Sequence, residues 1–212
     1  MTRSVVGSAV GIVLGVFTLN PAVSGAASTV FDTSGATVTC QTLIGTASVK
    51  PAITSASTGS AVIKVKAILN GCVVTGATPS QPTIVSGAVS GTLTTSGAAG
   101  CAGLLSPATI SGNLVAKWKV ASGQKLDFSS TTVSGGTITG GVFTPGMPFS
   151  GSYGQFTLAG QTLAPSSAFG GGTPSTVALT GEDVGFLAGA CAAAPPGKGI
   201  STIHLSIGQT TL

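Results

Sequence analysis

Proton chemistry in this chain rests on few side chains: Asp32, Asp127, Glu182, Asp183 and His204 are its only carboxylates and its only histidine. General acid–base hydrolysis needs such groups. A Ser–His–Asp arrangement would have to use His204. Strand alternation, however, puts that residue on the non-core face of a terminal strand, where a solvated sheet histidine is the plainer reading. No Gly-x-Ser-x-Gly elbow leads into a helix, so the abundant serines are composition and not a nucleophile signal. Glu182 and Asp183 form the only close carboxylate pair, but neighbours on a strand point to opposite faces and do not bracket a sugar ring. As calcium ligands they would need more oxygens, which carbonyls of a glycine-rich loop could supply; a solvated turn explains them more simply. Gly170, Gly171 and Gly172 lack the Lys and Ser/Thr of a phosphate-binding loop and precede Thr173-Pro174, which reads as a turn.

Lysine is the more suggestive residue. Lys64, Lys66, Lys117 and Lys119 alternate with apolar neighbours and so take the outward positions of two strands. If those strands share a sheet, the four form a basic binding face able to contact an anionic cell-wall polymer or lipid headgroups. The alternative is that they keep exposed strand faces and edges from aggregating. A net charge of +4 with only 6% charged residues is too dilute for a nucleic-acid partner, which needs clustered Lys and Arg. Trp118 alternates inward, and Phe143, Phe149 and Phe169 lie in Gly/Pro-rich loops, where they are expected as anchors folded over a core and not as a sugar-stacking platform. No two of Cys40, Cys72, Cys101 and Cys191 have metal-ligand spacing, so no metal and no cofactor is expected.

The elements that position these residues read as strands. In the stretch 61–69, Ile63, Val65, Ala67 and Leu69 share one face and Lys64 and Lys66 the other. In 114–120, Leu114, Ala116, Trp118 and Val120 face in; in 200–207, Ile203, Leu205 and Ile207 face in while Thr202, His204 and Ser206 face out. Weaker alternation marks 38–49, 83–93, 126–133, 153–158 and 175–179. Turn residues punctuate the chain at 76–82, 96–100, Gly135-Gly136, 144–151, 170–174 and 195–199. No segment holds a 3.6-residue period over a helix's length; single helical turns at 102–105 or 184–190 are the most that fits. Low charge with ample Val, Ile and Leu argues for a packed domain and not for disorder. The expected fold is all-β, an antiparallel β-sandwich or partly closed barrel, preceded by a cleaved N-terminal signal helix.

That signal is read from Arg3, the apolar run 5–19, Pro21 and the small residues 22–27, with cleavage after Ala26 or Ala27. Gly7, Gly11 and Gly15 interrupt the apolar run, which is about 15 residues and short of the ~20 that span a bilayer. Residues 1–26 are thus a signal peptide and 27–212 a single secreted β domain, long enough for a core of its own. Four cysteines in an exported chain read as two disulfides. If 38–49 and 62–69 form a hairpin turning within 54–59, Cys40 and Cys72 are equidistant from the turn and meet, which leaves Cys101 with Cys191.

The order of these features resembles that of small secreted, disulfide-bonded β-rich proteins of actinobacteria. The resemblance is carried by Cys40 in a strand ending near Pro51, Asn70-Gly71-Cys72, and the run Ser86-Gly87-Ala88-Val89-Ser90-Gly91-Thr92 before Cys101 and Leu104-Leu105. Lys117-Trp118-Lys119 and the late Cys191 complete it. It implies export and a disulfide-bonded β fold, and carries over no functional residue. The expected function is that of a non-catalytic secreted or cell-envelope-associated β protein that binds or coats something. The alternative is an extracellular hydrolase of wall or extracellular polymer using His204 with a carboxylate. A wall-embedded β pore is a third and weaker reading, since a closed barrel would not need two disulfides.

Overall fold

The computed structural model describes residues 27–54, 59–96, 108–138, 155–159, 162–170, 177–181 and 200–212. The signal segment, the helical turns expected at 102–105 and 184–190, Cys101, Cys191, Glu182, Asp183, Phe143 and Phe149 lie outside the described residues. The described chain is all-β, and no helix occurs in it. Its strands are β1 (Thr29–Phe31), β2 (Thr37–Ile53), β3 (Val62–Thr75), β4 (Ile84–Thr95), β5 (Ala108–Val120) and β6 (Gln124–Leu126). They continue as β7 (Ser130–Ile138), β8 (Gln155–Ala159), β9 (Thr162–Leu163), β10 (Val177–Gly181), β11 (Ile200–Ile207) and β12 (Thr210–Thr211).

The main strands pair antiparallel in chain order: β2 with β3, then β4, β5, β7, β8, β10 and β11 in turn. β11 also pairs with β2, so the run of pairings comes back to its first strand. The join between β7 and β8 rests on only two registered pairs, Thr137 with Ala159 and Ile138 with Leu158. The described strands thus form one antiparallel sheet whose pairings return to its first strand, within the sandwich or partly closed barrel expected. Such a meander leaves most strands without a free edge. The β2–β11 ladder shifts register between Ile200 and Thr202, opposite the stretch of β2 that contains Pro51. A proline nitrogen cannot donate to a ladder, which accounts for the break.

Rows of paired residues carry the core across the strands. One row is Leu205, Gly45, Ala67, Val89, Ala116 and Thr131; the next is Leu43, Leu69, Gly87 and Trp118. The small residues are placed where the sheet bends or a ring needs room. A Cβ on Gly87 would stand 2.6 Å from Cζ3 of Trp118, so the indole lies directly over this glycine. Trp118 also meets Phe169 edge-on, with centroids 5.2 Å apart and planes at 89°, the arrangement favoured by the ring quadrupoles. Its Nε1–H donates to Thr131 Oγ1 at 2.8 Å.

Phe169 is fully buried and closes the end of the sheet at which β2 begins. Of the three loop phenylalanines it alone is described, and it is the core anchor expected. In the same buried cluster lie Ala36, Val38, Ala77, Ala168 and Leu212, gathered from four separate stretches of chain. Backbone bonds tie the cap together: Ala168 N donates to Ser130 O (2.8 Å), Gly170 N to Ala36 O (3.2 Å), and Val38 and Leu212 exchange two bonds of 2.9 Å. β1 joins it by pairing with β6, parallel to it.

Two expectations are corrected. The turn expected at Gly135-Gly136 lies inside β7, where both residues have positive φ (63° and 152°) and the β5–β7 register shifts between Ile110 and Asn113. Glycine tolerates those angles, so the pair makes a bulge that bends the strand and does not end it. The single strand expected over 126–133 is two strands, since residues 127–129 form bends between β6 and β7. There Asp127 N donates to Phe31 O at 2.9 Å, which ties the chain to β1 before it enters the main sheet.

Candidate functional site

The lysines sit where alternation placed them. Lys64 and Lys66 on β3 and Lys117 and Lys119 on β5 are all exposed, as is Lys50 on β2. Their inward neighbours Val65 and Leu69 are buried, and Ile63, Trp118 and Val120 pack partly buried against the core. Register puts all of them on one outer face. One row across that face is Thr46, Lys66, Ser90 and Val115; the next is Ile44, Ile68, Ala88 and Lys117. Lys64 falls in the row of Ser48, Thr92 and Asn113, and Lys119 pairs with Ser86. β4 alone separates β3 from β5, so the two lysine pairs are about 10 Å apart laterally and step along the sheet by about 7 Å.

Among the described residues this face has no internal counter-charge. From Asp32 to Asp127 the chain contains six lysines, Lys50, Lys64, Lys66, Lys117, Lys119 and Lys125, and no carboxylate between them. Asp32 and Asp127 themselves are at the capped end, in the segments flanking β1 and β6. The spacing of about 7 Å within each pair is comparable with the Debye length of ~8 Å at physiological salt, so paired lysines still repel one another weakly. The strands that carry Lys64, Lys66, Lys117 and Lys119 are each paired on both sides: β3 with β2 and β4, β5 with β4 and β7. Lysines that blunt an aggregation-prone edge belong on an unpaired strand, and these are not on one.

His204 is exposed on β11, opposite Thr46 and therefore in the Lys66 row of the same outer face. The described carboxylates Asp32 and Asp127 are both at the capped end of the sheet. Thr46 is ten positions into β2, about 30 Å along the strand from that end. Hence the structure does not bring His204 together with either of them. Among the described residues no three His, Cys, Asp or Glu side chains form a group that could hold a metal.

What sequence reasoning missed is the meeting of Asp32 with Asp127. Thr33 Oγ1 (2.7 Å) and Phe128 N (2.9 Å) donate to Asp127 Oδ1, while Ser34 N (3.0 Å) and Oγ (2.8 Å) donate to Asp32 Oδ1. The run Asp32-Thr33-Ser34 is an Asx-turn pattern, and that was the available signal. The bonds from the Ser34 backbone and then its hydroxyl hold the Asp32 carboxyl below its ordinary value of 3.8, with a smaller lowering by a bond to Asp127 and an opposing push from burial. A carboxyl lowered in the folded state stabilises the fold above its unfolded value, and that contribution is lost as pH falls through the folded value. The thermal midpoint should therefore drop on acidification below about pH 4. Asp32→Asn should flatten that limb; an unchanged acid limb in the variant would mean that the turn does not contribute.

Taken together, the described residues form a disulfide-bonded antiparallel β fold whose outer β2–β5 face bears lysines and no carboxylate. Compared with family models, curated proteins and solved structures, the chain matches none.

Proposed function

We propose that this is a non-catalytic protein, exported and held at or near the cell envelope, whose lysine face binds an anionic surface group such as the phosphates of a wall polymer or of lipid headgroups. The observation that carries the reading is the placing of Lys64, Lys66, Lys117 and Lys119 on doubly paired strands, on a stretch of chain free of carboxylates. Edge protection does not explain them there, and an anionic partner does. The Cys40–Cys72 disulfide fits an oxidising compartment, and the signal-like order of residues 1–27 supplies a route to it. The actinobacterial secreted proteins that the sequence resembles would be its kin.

Two measurements test this. The protein recovered from culture supernatant or envelope should begin at Ala27 or Ser28; an exported product that keeps Met1 would make the segment an anchor. Isolated envelope should retain the mature protein in a salt-sensitive way. Each lysine near an anionic surface is worth about 1 kcal/mol, so K64Q/K66Q/K117Q/K119Q should lower retention by well over ten-fold. Equal retention of the variant would remove the binding face.

A further inference from the structure

We infer that the anionic partner is a phospholipid surface, on which the outer face of β2–β5 lies with Ile44, Ile68, Val73 and Val85 dipping among the headgroups. This rests on the binding-face reading above and narrows it. The four side chains are the clearest departures from a Thr/Ser/Lys surface: Ile44 is 57%, Ile68 51%, Val73 61% and Val85 50% exposed. They are not scattered. Ile44 and Ile68 are direct cross-strand partners, Val73 lies further along β3, and Val85 lies at the start of the next strand, β4.

The basic groups surround this cluster in the same register. Lys117 is in the row of Ile44 and Ile68, and Lys66 is one outward position from Ile68 on β3. Both are thus within about 7–10 Å of the apolar pair along the sheet. A hydrated polyanion would meet the lysines and leave the isoleucines and valines in water. A bilayer interface takes both, since lysine stems lie along apolar surface while their ammonium groups reach the phosphates. The same face carries Thr46, Ser48, Ser90, Thr92 and Asn113 at outward positions, which is too polar for the apolar band of a spanning barrel. The protein therefore lies on the membrane and does not cross it by this face.

The test uses the mature chain with vesicles of phosphatidylcholine alone, vesicles also containing phosphatidylglycerol, and soluble polyphosphate. The expected result is sedimentation with the anionic and not with the neutral vesicles, and weaker binding to polyphosphate. I44T/I68T keeps β-branched residues at exposed positions and should fold, as judged by far-UV circular dichroism and Trp118 fluorescence. It should weaken vesicle binding by about ten-fold or more while leaving polyphosphate binding unchanged. K66Q/K117Q should weaken both. Binding of I44T/I68T to vesicles at wild-type strength, or binding of wild type to polyphosphate as tight as to the anionic vesicles, would overturn the lipid inference and leave the basic face standing. Binding to neither probe would overturn both.

Discussion

Trp118→Ala is expected to lower the stability of the domain by about 3–5 kcal/mol, within the range for removing a large aromatic from a core. Three contacts go at once: the stacking over Gly87, the edge contact with Phe169 in the cap, and the bond from Nε1 to Thr131 Oγ1. Thr131 is fully buried, so its hydroxyl would lose the indole donor in a place water does not reach freely; that alone costs about 1–3 kcal/mol. For a chain of this size the midpoint should fall by about 10 °C, followed by far-UV circular dichroism because the only tryptophan is gone. A companion variant identifies the contact. Gly87→Ala forces a Cβ to within 2.6 Å of the ring and should cost about 1–3 kcal/mol in the wild-type background. In the Trp118→Ala background that cost should nearly vanish, because the atom it collides with is absent. Additive costs, or a loss below about 1 kcal/mol for Trp118→Ala, would mean that the ring does not hold the cap to the sheet.

The faces of the main strands were legible because a two-residue period is a local property. Val65, Leu69 and Leu205 are buried and Lys64, Lys66, Lys117, Lys119 and His204 exposed, as alternation requires. Ile63, Trp118, Val120 and Ile203 face the core but are only partly buried, since period gives the face and not the depth. The side chain of Ile207 lies outside the described residues. Alternation also conceals a break. Gln41 and Thr42 are both exposed on β2, as are Asn70 and Gly71 on β3, so both strands change face at the same place while their register is kept. The positive φ of Gly71 permits this, and one strand slipping alone would have turned its apolar residues outward.

The cap and the binding face were harder to read, for a different reason. The cap gathers Ala77, Phe169 and Leu212 from distant parts of the chain, each in a segment too short to show a period. The lysines were visible singly, but whether they share a face depends on strand order, which follows from pairing and not from any one strand. The stretch without carboxylates between Asp32 and Asp127 was countable from the start. It gained meaning only once β2 to β5 were known to be neighbours, because charge along a chain becomes a surface potential only after folding.

Cys40→Ala/Cys72→Ala is the second change with a large expected effect. The two cysteines are registered partners on β2 and β3 and form a disulfide across a sequence separation of 32 residues, which is the pairing expected from the hairpin. In the loop-entropy model a cross-link of that length stabilises by about 4 kcal/mol, and measured values of 2–4 kcal/mol are common. Cys40 is almost fully buried, so the variant also loses sulfur packing. The unfolding midpoint in urea should fall accordingly, and reductant added to the wild type should reproduce most of the loss. The variant then serves to test the second bridge. Thr95 pairs with Ile110, Ile53 with Ile200, and Val62 with both Lys50 and Thr94. The connections from β4 to β5 and from β10 to β11 therefore both meet the described strands at the end of the sheet opposite the cap. Cys101 belongs to the first connection and Cys191 to the second. If they are joined, the double-alanine variant remains reductant-sensitive and its unreduced digest yields one linked peptide containing Cys101 and Cys191. Two titratable thiols in the unreduced variant, with no effect of reductant on its midpoint, would show that Cys40–Cys72 is the protein's one covalent tie.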